Sequence, residues 1–156
     1  MSEPPDPYLE ARQSIQKTIE DKVTRMLVES SHLSVPQLET LLADSISYEK
    51  LAKKEQRRLF RPSKHDISRG SYNRTLIQAQ NNVIRSIYTV LLLGYVGLFD
   101  SSSLQPFLEL SDNLETYIGE RETEESQTDE AVQELKLRLT ETIASLAKRH
   151  SFKDTL

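Results

Sequence analysis

The chain has no cysteine and no tryptophan, and only 4 glycines in 156 residues. Without cysteine there can be no disulfide scaffold, cysteine-based zinc site, iron–sulfur cluster or thiol nucleophile. So few glycines exclude a turn-rich β-sandwich or barrel, which needs them at many tight turns. Long apolar runs are missing too. The longest strongly apolar stretch without a charge, residues 86–99, is shorter than the roughly 20 residues that span a bilayer, so no membrane partner is expected. The N-terminus, Met1-Ser2-Glu3-Pro4-Pro5, is polar and acidic and unlike a signal peptide. The reading that follows is a cytoplasmic protein, nucleoid-associated if it binds DNA. At this length there is room for one domain, or one domain and a tail.

Catalytic constellations are scarce as well. His32, His65 and His150 are far apart and lack companions at metal-ligand spacing. Gly94-Tyr95-Val96-Gly97 lies in an apolar run and does not resemble a phosphate loop. The carboxylates of 122–125 sit in a segment with nothing to hold them rigid, which acid–base chemistry requires. A non-enzymatic protein with no cofactor and no metal is expected.

What the sequence does have is charge segregated along the chain. Residues 50–85 hold ten basic residues against two acids, Glu55 and Asp66, a local charge of +8. The net charge is −4, so the remainder carries −12. Residues 109–134 alone have ten acids against one arginine. A polyanion would respond to the basic block, and the total charge bears mainly on solubility.

The apolar pattern is helical throughout. Residues 1–7, with three prolines, read as a disordered tail. Ala11, Ile15, Ile19, Val23 and Leu27 recur in steps of four and predict one helix from Tyr8 to about Ser31. Ser34-Val35-Pro36-Gln37 is a capping box with proline in the first turn, opening a short helix with Leu38, Leu41 and Leu42. A second start at Ser45 or Ser47 predicts a basic helix to Phe60, with Tyr48, Leu51, Ala52, Leu59 and Phe60 on its apolar face. Pro62 marks a loop.

Residues 67–99 contain no acid and have no breaker between Gly70 and Gly94, which predicts one long helix at about 68–98. Leu76, Ala79, Val83 and Ile87 form its apolar stripe, and the uncharged half from Ser86 reads as a buried central helix. Ser101-Ser102-Ser103 caps another helix, with Leu104, Phe107, Leu108, Leu114, Tyr117 and Ile118 inward and Gly119 as its stop. The last helix, 129–150, carries Val132, Leu135, Leu139, Ile143 and Leu146 in near-heptad steps, a seam for docking or dimerisation. The expected fold is all-α, about six helices packed around the long central one, with amphipathic terminal helices. The expected division is a helical DNA-binding core at 8–119, an acidic linker at 120–128 and the C-terminal helix.

Residues 67–76, Ile-Ser-Arg-Gly-Ser-Tyr-Asn-Arg-Thr-Leu, resemble the opening of the recognition helix in helix-turn-helix DNA-binding regulators, where I-S-R-[GS]-[ST]-Y-x-R-x-L is common. The resemblance implies that Ser68 is the N-cap, that Arg69, Ser71, Tyr72, Asn73 and Arg74 face the major groove, and that Leu76 packs inward. It also makes a rival of the helix at 47–60, preceded by a helix at 35–43. On chemical grounds, Arg69 and Arg74 suit phosphates or guanine, and Asn73 or Gln78 suits adenine. Lys50, Lys53, Lys54, Arg57, Arg58, Arg61 and Lys64 supply sequence-independent attraction.

The expected function is therefore sequence-specific or architectural binding of double-stranded DNA. The protein would be a transcriptional regulator or chromosome- or plasmid-associated factor, a homodimer through an amphipathic terminal helix. The alternative is a helical adaptor or assembly subunit that binds an acidic protein.

Overall fold

The structure is a computed structural model that describes residues 6–63, 66–98, 101–119 and 129–149. Every regular element among them is helical: α1 (Leu9–Glu20), α2 (Lys22–Glu29), α3 (Val35–Glu49), a 3-10 helix η1 (Lys54–Phe60), α4 (Arg69–Tyr95), α5 (Ser101–Gly119) and α6 (Asp129–Arg149). The all-α class and the long helix are as the periodicity predicts. The chain divides into two compact units, Met1–Arg85 and Ser86–Leu156. Residues 120–128, expected as a linker, lie outside the described residues.

The helix expected from Tyr8 to Ser31 is two helices. Asp21 leaves the helical conformation at ψ 130° and its carboxylate accepts the Thr24 N–H at 2.7 Å, capping α2. Aspartate competes with the helical backbone in an interior and stabilises an N-terminus, so the chain breaks there. The break changes which face is buried. Ala11, Ile15 and Ile19 are buried in α1, but α2 buries Val23, Met26 and Val28 and leaves Leu27 exposed.

The first unit is organised about Ala11, Ile15, Ile19, Ala43 and Phe60, with Tyr8, Leu42, Ile46 and Ala52 packed against them. Tyr8 meets Phe60 edge-to-face at 5.0 Å. Arg12 lies over the Tyr8 ring and donates from Nε to the Leu59 carbonyl at 2.7 Å. The apolar stripe of α1 is consumed by this core and is not free to form a dimer seam.

α3 begins at the expected capping box: Gln37 N–H donates to Ser34 Oγ, and Ser34 N–H to Gln37 Oε1. It then runs through the expected second start. Ser47 caps nothing; its buried hydroxyl donates to the Asp44 carbonyl at 2.9 Å. The face that α3 buries is Thr40, Ala43 and Ser47, small side chains that permit close approach, with the carboxylate of Glu39 beside them, while Leu38, Leu41 and Leu42 are half-buried.

α3 ends in a Schellman motif. Leu51 adopts φ 52°, its N–H reaches the Tyr48 carbonyl, and Ala52 N–H reaches the Ser47 carbonyl. The basic helix expected over 47–60 is thus the end of α3, a left-handed stop and η1. Tyr48 and Leu51 are exposed, and Phe60 is buried. The rival helix pair at 35–43 and 47–60 does not form.

α4 opens on Ser68, whose Oγ accepts the Ser71 N–H at 3.1 Å. It stops at Gly97, where φ 79° favours glycine and Leu98 N–H returns to the Leu93 carbonyl. Within the first unit α4 is held by Tyr72 and Ala79, both buried. Asn82 Nδ2 also donates to the His32 carbonyl at 2.9 Å and to Gln37 Oε1 at 3.2 Å. Of the expected stripe, Ala79 is buried and Leu76 half-buried, but Val83 and Ile87 are exposed.

The uncharged half of α4 is not the buried core that its composition suggests: Ile87, Tyr88, Leu91, Leu92, Tyr95 and Val96 are all exposed. In the rest of the second unit Val132 is buried, while Leu108, Leu137 and Ile143 face solvent.

Candidate nucleic-acid interface

Three fixed points set the geometry between η1 and the start of α4. Arg57 Nη1 meets Asp44 Oδ1 at 2.9 Å and ties η1 to α3. Glu39 anchors the chain that follows η1: its carboxylate accepts from Arg61 Nη2 at 3.1 Å, from the Ser63 N–H at 2.6 Å and from the Ser63 hydroxyl. The Ser68 cap then sets where α4 starts.

Together they open a groove of about 430 Å³. Lys54, Glu55, Arg57 and Arg58 line it from η1; Arg69, Tyr72, Asn73 and Leu76 line it from α4. Four cations and one carboxylate thus surround one concave surface. Arg69 Nη1 lies 3.8 Å from Glu55 Oε1, with both side chains mostly exposed, so that pair is weak and open to exchange for another anion.

The described residues among those expected to bind DNA divide into three groups. Lys54, Arg58, Arg69 and Asn73 come together at the groove. Lys50, Lys53, Ser71, Arg74 and Gln78 are exposed outside it. The remainder are structural. Arg61 is 3% exposed and bound to Glu39, Arg57 is held by Asp44, and Ser68 is the cap, as the resemblance implies. Tyr72, expected on the groove-facing set, is 2% exposed. Four residues after its cap, it falls at a helical position that packs inside the first unit, close to Asp44, Arg57 and Arg61. Lys64 lies outside the described residues.

Tyr72 has unusual surroundings. Its hydroxyl is buried with no hydrogen-bond partner among the described residues. Burial pushes the phenol well above its ordinary value; the Asp44 carboxylate adds to the rise, and Arg57 and Arg61 oppose it. Arg57 Nε is also buried, with no acceptor among the described residues.

Sequence reasoning missed Glu39, Asp44 and Asn82, which position the site without facing it. A partial signal existed. Thr40, Ala43 and Ser47 recur at helical spacing as small residues, which marks a close-packed face with Glu39 beside it.

Among the described residues no group of three or more His, Asp or Glu could hold a metal ion, and no helix is long and apolar enough to cross a membrane. Comparison with protein-family models, curated proteins and solved structures finds no match to this chain.

Proposed function

We propose that this protein is a non-enzymatic DNA-binding protein that grips the phosphate backbone of double-stranded DNA, in an architectural or regulatory role. The observation that carries the reading is the groove, where cations separated by the loop after η1 line one concavity with Asn73. Lys54, Arg58 and Arg69 act as phosphate ligands, and the Asn73 amide donates to a phosphate or a base edge. Backbone contact outweighs base reading, because two of the expected arginines are committed to carboxylates and Tyr72 is buried. Little aromatic surface is left at the groove for stacking on single strands.

A titration of mixed-sequence duplex followed by fluorescence anisotropy tests this. Binding is expected at about 50 mM salt, falling steeply towards about 200 mM, and each of Lys54→Ala and Arg69→Ala should lower the salt slope by about one. An absence of binding at the lower salt would overturn the proposal.

One observation favours a second reading, an adaptor or assembly subunit that meets an acidic protein: Glu55 already places a carboxylate beside Arg69. Binding of polyglutamate but not of duplex DNA would select it.

A further inference from the structure

We propose that the exposed face of α4 between Tyr88 and Tyr95 is a homodimerisation surface, occupied by the same face of a second copy in antiparallel orientation. The inference is independent of what the basic groove binds.

Tyr88, Leu91, Leu92 and Tyr95 stand at i, i+3, i+4 and i+7, which places them on one helix face. They are 67%, 60%, 58% and 91% exposed. Ile87 and Val96, each 55% exposed, flank them. Isolated exposed apolar residues are ordinary; a contiguous stripe of this kind is the mark of an interface. On the order of 100 Å² from each of these six side chains, in two copies, gives about 1,200 Å², the lower edge of the range for stable protein–protein interfaces.

The chemistry of the stripe selects the occupant. From Ser86 to Leu98 there is no charged residue, so nothing on this face would attract an acidic or basic partner. Membrane-surface helices carry lysine and arginine along a polar face, and this segment carries none.

The order of the residues is decisive. Tyr-x-x-Leu-Leu-x-x-Tyr reads the same in both directions, with its centre between Leu91 and Leu92. Two antiparallel copies related by a two-fold axis at that centre set Tyr88 of each against Tyr95 of the other, and bring the two Leu91 side chains together on one side of the axis and the two Leu92 side chains on the other. That is the self-complementary arrangement an isologous interface requires. The tyrosine rings bury their apolar edges while their hydroxyls stay at the wet rim.

The mass of the full chain in solution, measured by sedimentation equilibrium between about 1 and 100 μM, tests the pairing. A dimer is expected that survives about 1 M salt, because its face is apolar. Leu92→Glu should weaken it by more than about 100-fold by bringing two carboxylates together at the two-fold axis. Its circular dichroism should be unchanged, since the side chain faces solvent in a single copy.

Orientation is read by disulfide trapping, which the absence of native cysteine makes clean. A mixture of Tyr88→Cys and Tyr95→Cys chains should cross-link. Either variant alone should not, because a thiol then has its counterpart about 10 Å away along the axis. Three results would each overturn the proposal: a monomer at 100 μM, a dimer indifferent to Leu92→Glu, or efficient cross-linking of Tyr88→Cys alone.

Discussion

Tyr72 shows how one residue can belong to a motif and still serve another purpose. It stands in the segment that resembles a recognition helix, yet its ring is buried at the side of the groove and its hydroxyl has no hydrogen-bond partner among the described residues. A buried unpaired hydroxyl costs about 1–3 kcal/mol. Tyr72→Phe should therefore leave stability at pH 7 unchanged or raise it by about 1 kcal/mol, as measured by urea unfolding. The pH dependence has a definite sign. The phenol is raised in the folded state above its value of about 10 in the unfolded chain. Above that pH the unfolded chain releases the proton first and is favoured. The contribution is intact below about pH 10 and is lost progressively above it. The variant should accordingly lose less stability than the wild type between about pH 9 and 11; equal alkaline slopes would contradict this account.

The elements show where local signals were sufficient. The Ser34 capping box and the Ser68 cap were both legible, because a cap depends on residues within one turn of chain. The break at Asp21 was missed, since a stripe of apolar residues in steps of four survives a change of helix axis on paper. The stop at Leu51 was missed for a different reason: the left-handed position there is filled by leucine, where the usual signal is glycine.

Glu39 is the element-scale anchor, joining α3 to the chain between η1 and α4 through Arg61 and Ser63. Glu39→Ala would leave the Arg61 guanidinium buried and uncompensated, and should cost about 3–5 kcal/mol in denaturant unfolding. Replacing the pair together, Glu39→Leu with Arg61→Met, should recover much of that loss. Full stability in Glu39→Ala would show that the ion pair does not hold the loop.

Across the whole molecule the charge is bipolar, with +8 in residues 50–85 and −12 elsewhere. If the acidic stretch competes with DNA for the basic groove, Glu122, Glu124 and Glu125 replaced by glutamine should tighten non-specific binding several-fold at about 50 mM salt. The gain should fade near 200 mM as screening shortens the range. An affinity equal to wild type at low salt would rule out the competition. By itself the sequence determined the helical class, the caps, the long acid-free helix and the concentration of positive charge in the middle of the chain. Each of these follows from composition or from contacts within a few residues. Only the tertiary structure decided that Arg57 and Arg61 are bound to carboxylates of α3, and that Lys54, Arg58 and Arg69 line one groove. It also decided that the apolar half of α4 is exposed. Periodicity reports that a face is apolar, and only packing between elements distant in sequence determines what, if anything, covers it.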